Sequence, residues 1–186
     1  MGKKWSNLNL AGALHFVTAN VSARARIFVD ASCCLLFLQE LDDQNNKWPS
    51  KLIAYVLMPD HFHLICNPRD GRIREFIGAV KSLVAHRLGC EIWQQSFKAM
   101  PLWSHWMVWQ KINYIHANPV RAGLVKSAKD YEWSSFHSYY STGVPSLTVA
   151  LEWWWPDDAE KLSRAVKDLG ISTVTSGGKP PFPTSR

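Results

Sequence analysis

The sequence predicts an α+β domain with the ferredoxin-like plan, β-α-β-β-α-β, in which one antiparallel sheet carries two helices on one face. Three observations predict it. Residues 54–66, AYVLMPDHFHLIC, are two apolar runs joined by Pro59-Asp60, the pattern of a tight antiparallel hairpin. Residues 73–88 repeat apolar side chains at three-four spacing and are followed by Gly89, as in an amphipathic helix with its C-terminal stop. Strand-like segments flank the unit, 14–19 before it and 96–100 after it.

Taken in order, LHFVTA at 14–19 is a first strand of β-branched and aromatic residues. The polar loop 20–26 carries Arg24 and Arg26. Asp30 is placed to cap a helix over 32–41, with Cys34, Leu35, Leu38 and Leu41 as its apolar face. Residues 42–49 read as a polar turn region, and strands follow at 51–58 and 61–66. In the second helix Ile73, Phe76, Ile77, Val80, Leu83, Val84 and Leu88 form the stripe, while Arg72, Arg74, Lys81 and Arg87 fall off it. Ser104 caps an added third helix reaching about residue 117, with Met107, Val108, Ile112 and Ile115 on its buried side. Pro119 disfavours helix at Asn118, so the helix is expected to end there or restart. The aromatic segment 131–140, YEWSSFHSYY, is expected to pack back on the domain. The domain thus spans 1–140, and 141–186 form an appendage with a short helix within 151–170 and a flexible tail at 176–186.

Hydrophobic residues are 47% and charged residues 19% of 186, a globular balance sufficient for one full core. The net charge of +6 suits a polyanionic partner, nucleic acid first and an anionic membrane surface second. The cysteines Cys33, Cys34, Cys66 and Cys90 include no C-x-x-C pair, which argues against a zinc knuckle or disulfide framework and for a reducing cytoplasm. Neither a signal peptide nor a bilayer-crossing run is expected. MGKKWS at 1–6 fits the loose N-myristoylation pattern.

The chemistry concentrates at the hairpin. Strand side chains alternate faces, so His61 and His63 point one way, roughly 7 Å apart, and Phe62 points the other. Two imidazoles held in this way can share a divalent cation, given a third ligand. On the third helix Gln110, Tyr114 and Asn118 stand four residues apart on one stripe, with Lys111 beside it. Asn118 lies about 6 Å along the axis from Tyr114, so a metal held by His61, His63 and Asn118 would lie near the Tyr114 hydroxyl. Plainer roles compete. Asn118-Pro119 is also a good N-cap pair, His116 is a rival ligand further round the helix, and a buried tyrosine commonly only packs. Among ten tryptophans, Trp103, Trp106 and Trp109 stand at helix-surface spacing ahead of Tyr114, where stacking on unpaired bases is open to them.

Four segments in order, AYVLMPDHFHLIC, IWQQSFKA, YIHANPVRAGLV and DYEWSSFHSYY, resemble the single-tyrosine HUH transposase family, and within it the transposase-like proteins associated with repetitive extragenic palindromes. The resemblance spans roughly residues 14–140. It implies a DNA strand-cleaving and rejoining enzyme with His61, His63 and Asn118 as ligands of Mg²⁺ or Mn²⁺ and Tyr114 as nucleophile. It implies single-stranded DNA folded into imperfect hairpins as the substrate. The expected setting is the bacterial cytoplasm, at the nucleoid, as a monomer or homodimer with no membrane partner. Where many relatives carry Gly-Arg after Trp-Gln, this chain has Gln95-Ser96, a change that bears on DNA contact.

On that resemblance, a cation would offset the charge on a non-bridging oxygen of the scissile phosphate, and with Lys111 would favour the phenolate. In-line attack would leave a 5′-phosphotyrosine and a free 3′-hydroxyl, a covalent link that needs no ATP to rejoin. Arg24, Arg26, Lys98, Lys111 and Arg121 are the candidates for DNA backbone contacts, each weighed against an ordinary solvated charge. Two other functions stay open at this stage. One is a single-strand nucleic-acid-binding module that stacks bases on sheet aromatics without chemistry. The other is a metal-dependent phosphodiesterase that uses water and ignores Tyr114.

Overall fold

The sheet is built on the hairpin. Strands β1 (Leu14–Asn20), β2 (Ser50–Met58), β3 (His61–Pro68) and β4 (Lys98–Leu102) pair antiparallel in the order β2-β3-β1-β4. Helices α1 (Ala31–Lys47) and α2 (Ile73–Leu88) occur at the two crossover positions, which completes the ferredoxin-like plan. Helix α3 (His105–Arg121) is added after β4, and a short α4 (Phe136–Tyr140) follows. The computed structural model describes residues 10, 12–140 and 142–153. The segment 1–6, the proposed 151–170 helix beyond residue 153 and the 176–186 tail lie outside the described residues.

Alternation along the strands creates two cores. Val17 and Ala19 of β1, Phe62, Leu64 and Cys66 of β3, and Leu52, Tyr55 and Leu57 of β2 join one cluster with Phe37, Leu41, Ile77, Val80 and Val84 of α1 and α2. Leu14, Ile65, Val56 and Met58 join the other with Val108, Ile112 and Ile115 of α3. A register shift between Leu52 and Ala54 lets Ile53 and Ala54 both enter this second cluster. The sheet is therefore covered on both faces, by α1 and α2 on one and by α3 across β2 and β3 on the other.

Several elements differ from expectation for identifiable reasons. Helix α1 continues through 42–47 instead of turning there. Its last turns are held by Gln44, whose Oε1 accepts from Trp48 Nε1 (3.2 Å), and by buried Glu40, paired with Arg87 of α2 (2.7 Å). Leu35 is exposed, and Phe37 takes the buried place. Lys81 is buried rather than solvated: Nζ donates to Gln94 O (2.8 Å), and its own carbonyl accepts from Trp93 Nε1 (2.9 Å). The fourth strand begins at Lys98, two residues later than expected. Helix α3 runs through Pro119 to Arg121, because Ala122 N donates to Asn118 O and Leu124 N to Pro119 O, which keeps the turn bonded around the missing N–H. Asp30 and Ser104 cap their helices as expected.

The aromatic segment closes the outer edge of β2. Tyr131 Oη donates to Leu57 O (2.7 Å) and Tyr139 Oη to Ile53 O (2.8 Å), while Leu57 N donates to Trp133 O and Ser135 N to Tyr55 O. Ala150 N adds a bond to Leu52 O (2.8 Å).

The α1 cap gives a simple stability prediction. Asp30 Oδ1 accepts from both the N–H and the hydroxyl of Ser32. Asp30→Ala is expected to lower unfolding free energy by about 1 kcal/mol, read from urea denaturation monitored by circular dichroism.

Candidate functional site

His61 and His63 leave β3 on the α3 face, with Phe62 buried on the opposite face, as alternation requires. Their ring centroids are 4.9 Å apart and nearly perpendicular, closer than the strand spacing alone suggests. Each Nδ1 is held by a neighbouring oxygen. Nδ1–H of His61 donates to Asp60 Oδ1 (2.6 Å), and His63 Nδ1 is hydrogen-bonded to Thr18 Oγ1 (2.8 Å). Thr18 is the direct register partner of His63 across the β1–β3 ladder, so the sheet itself fixes this bond.

Tyr114 meets this pair from α3. Its ring centroid is 5.3 Å from His63 and 5.8 Å from Phe16, both edge-on, and Phe16 is stacked on His63 at 5.3 Å. Two cations flank the phenol: Lys111 Nζ is 5.5 Å and Arg121 Cζ 5.7 Å from its ring centroid. Tyr114, Lys111 and Arg121 line a cleft of about 450 Å³ with Gln110, Asn113 and Ala117. Asn118, one turn on from Tyr114, has its amide Nδ2 buried without a hydrogen-bond partner among the described residues.

Burial pushes the His63 imidazole down to about 3, helped by nearby His61 and Lys111, so the ring is neutral at pH 7. His116, the rival ligand, points elsewhere: Nε2 is bonded to Ser135 Oγ (3.0 Å), and burial lowers its pKa to about 4. Both rings bind a proton more readily when unfolded, where histidine titrates near about 6.5. The unfolded chain then holds more protons between these values, so stability rises with pH there. For metal-free protein the urea midpoint is expected to fall on acidification from pH 6.5 toward 4. A flat profile would contradict the neutral burial of both rings.

The basic residues separate into groups. Lys111 and Arg121 stand at Tyr114, and Arg24 pairs with Asp60 (3.3 Å) beside His61. Arg24 has φ 56°, in the left-handed region. Exposed Lys98 opens β4 opposite Thr18. Arg26 is exposed on the loop before Ile27. Trp106 is exposed, whereas Trp109 packs against Trp153 and Tyr139. Sequence reasoning missed Phe16, Thr18 and Asp60 as parts of the cluster. The period-two pattern of LHFVTA was a usable signal for the first two, because it places residues 16 and 18 on one face.

Comparison with known proteins bears on this arrangement. The REP-associated tyrosine transposase of Escherichia coli (strain K12) is 32% identical over 108 residues, which cover 52% of this chain and 60% of the relative. A second relative in Haemophilus influenzae, described as a putative REP-associated tyrosine transposase, is 26% identical over 148 residues, 68% of this chain and 81% of the relative. The solved structure of a REP-associated tyrosine transposase bound to a REP hairpin superposes with a TM-score of 0.68, covering 81% of this chain and 94% of that one at 22% identity. The chain is thus similar in sequence to REP-associated tyrosine transposases. The match to the Escherichia coli transposase reaches under two thirds of that relative's length. No family model matches the sequence. The solved transposase shares the four-stranded antiparallel α+β fold described above. Among the described residues, no helix is long and apolar enough to cross a membrane.

Proposed function

We propose that this chain is a metal-dependent enzyme that nicks and rejoins single-stranded hairpin DNA through a 5′-phosphotyrosine intermediate. The observation that carries the proposal is the ring cluster of His61, His63 and Tyr114, with two cations beside the Tyr114 ring, which itself lines an open cleft. The residues fit a divalent cation. With Nδ1 of both rings engaged by protein oxygens, Nε2 is the nitrogen each imidazole offers, and the paired carboxylate and hydroxyl fix ring orientation as outer-shell partners do. Neutral His63 is the ligand-competent form. Asn118, one turn on from Tyr114 in α3, would supply its Oδ1 as the third ligand in the proposal. Mg²⁺ or Mn²⁺ bound there would supply positive charge beside a non-bridging phosphate oxygen.

The chain's own groups account for the remainder. Lys111 and Arg121, beside the Tyr114 ring, attract the phosphate that it attacks. The Tyr114 Oη–phosphorus bond forms as the bond from phosphorus to the 3′-oxygen breaks. The departing 3′-oxygen takes a proton and the phenol gives one up, so charge balances. Attack by another 3′-hydroxyl reverses the step and rejoins a strand. Exposed Arg24, Arg26 and Lys98 would add attraction for the DNA backbone. An unpaired substrate suits this site because a flexible strand can bend its phosphate onto a helix face. The REP hairpin bound in the solved relative supports the same substrate class. A bacterial cytoplasmic setting follows from that substrate.

The test is a denaturing gel of end-labelled stem–loop DNA incubated with protein and Mn²⁺. A slow covalent band supports the proposal. Cleavage without such a band would instead indicate hydrolysis by water, and binding without cleavage a recognition module.

A further inference from the structure

Beside the Tyr114 cleft lies a second cavity of about 440 Å³. Its walls are apolar and aromatic, with Val120 from α3 and Phe136 and Tyr140 from α4. The two aromatic rings stand 4.4 Å apart, inclined by 32°. His116 also lines the cavity, and only 4% of that residue is exposed. Its Nε2 is engaged by Ser135 Oγ, but its Nδ1 has no hydrogen-bond partner among the described residues. A buried polar atom left in this way is destabilising, and a ligand that pairs with it removes the penalty. Asn113, Ala117 and Arg121 line both this cavity and the Tyr114 cleft, so the two adjoin along α3.

We propose that this cavity receives one unpaired nucleobase from the strand whose phosphate lies at Tyr114. The inference rests on the single-stranded DNA reading and names the subsite that would hold the substrate in register. A nucleobase matches each feature of the cavity. Its flat π-face suits the Phe136 and Tyr140 rings. Its edge carries both donors and acceptors, so it can satisfy His116 Nδ1 whichever tautomer the ring adopts. That tautomer is set by Ser135, whose hydroxyl hydrogen can go either to His116 Nε2 or to Tyr55 O. The sugar and phosphate of the same nucleotide would remain at the shared rim, where Arg121 supplies positive charge. An aliphatic occupant would fill the walls but leave Nδ1 unpaired.

The test uses a DNA stem–loop with unpaired flanks, in which 2-aminopurine replaces one flank base at a time. Stacking tolerates any base, so an arbitrary flank sequence serves. Full-length Tyr114→Phe protein is titrated in, so that nothing is cut. One flank position is expected to be quenched on binding, and an abasic site there to weaken binding by about tenfold, the loss of one stacked base. Tyr140→Leu and Phe136→Leu keep apolar volume while removing a π-face, and each is expected to reduce both the quench and the abasic penalty. The proposal is overturned if no position is both quenched and abasic-sensitive, or if both effects persist unchanged in the two leucine variants. Failure of the enzymatic reading shows separately, as absence of a covalent band from unmodified protein with Mn²⁺. Absence of any DNA binding overturns both.

Discussion

Tyr114→Phe is expected to abolish the covalent protein–DNA band while leaving hairpin binding within about twofold. The substitution removes one oxygen atom and keeps the ring. The edge contacts to His63 and Phe16 belong to that ring, and so does most of the attraction for Lys111 and Arg121. Tyr114 is partly exposed and lines an open cleft, so removal of its hydroxyl is expected to orphan no buried partner. Binding and stability therefore stay near those of the unmodified protein, and the loss falls on bond making. A nucleophile has no substitute within its own side chain, so the band should fall to the detection limit of the gel. A band of undiminished intensity in the phenylalanine protein would refute Tyr114 as the attacking group. Fluorescence anisotropy with labelled DNA measures the binding arm of the same comparison.

The second large effect concerns the residue between the two histidines. Phe62→Ala is expected to lower unfolding free energy by about 3–5 kcal/mol. Phe62 is fully buried, 4.9 Å from the Phe37 ring and 5.4 Å from Trp93. Those neighbours come from α1 and from the loop ahead of β4, so the vacated space is bounded by elements that cannot all close on it. Against a typical total of about 5–15 kcal/mol, this is a large fraction. Urea unfolding of purified protein reads the shift as a lower midpoint at unchanged slope. His61→Ala, one position away on the opposite face, is expected to shift the midpoint far less, because His61 is only partly buried and belongs to no apolar cluster. Equal losses at the two positions would contradict the division of the strand between core and cleft.

Much of this architecture was legible because its causes are local. Helix α2 spans the residues that the three-four spacing marks, and Gly89 sits at φ 71°, where a side chain would be strained. The hairpin register follows from period-two alternation, which also predicts that His61 and His63 share a face and Phe62 does not. The misread parts depend on partners distant in the chain. The run from Asp42 to Asn46 has turn-forming composition, yet it stays helical in a helix anchored by Glu40 on Arg87 and by Gln44 on Trp48. Lys81 reads as solvated by type, but two carbonyls at residues 94 and 95 surround its ammonium. At the cleft, Tyr114 and the histidines were found through spacing within single elements. Thr18 was missed because its role exists only once β1 pairs with β3, 45 residues away in sequence. Asp60 was read as a turn residue, and its grip on His61 adds a second use that no periodicity signals.

The aromatic segment lying along β2 also determines how copies of this protein can meet. Strands at the margin of a sheet usually invite another chain to add on through main-chain pairing. Here one margin is already bonded by Tyr131, Trp133, Ser135, Tyr139 and Ala150 of the same polypeptide. The other is a five-residue strand interrupted by Pro101, a poor template for extension. A sheet running continuously from one subunit into the next is thereby disfavoured, which leaves helices and loops as the surfaces through which a paired assembly would join.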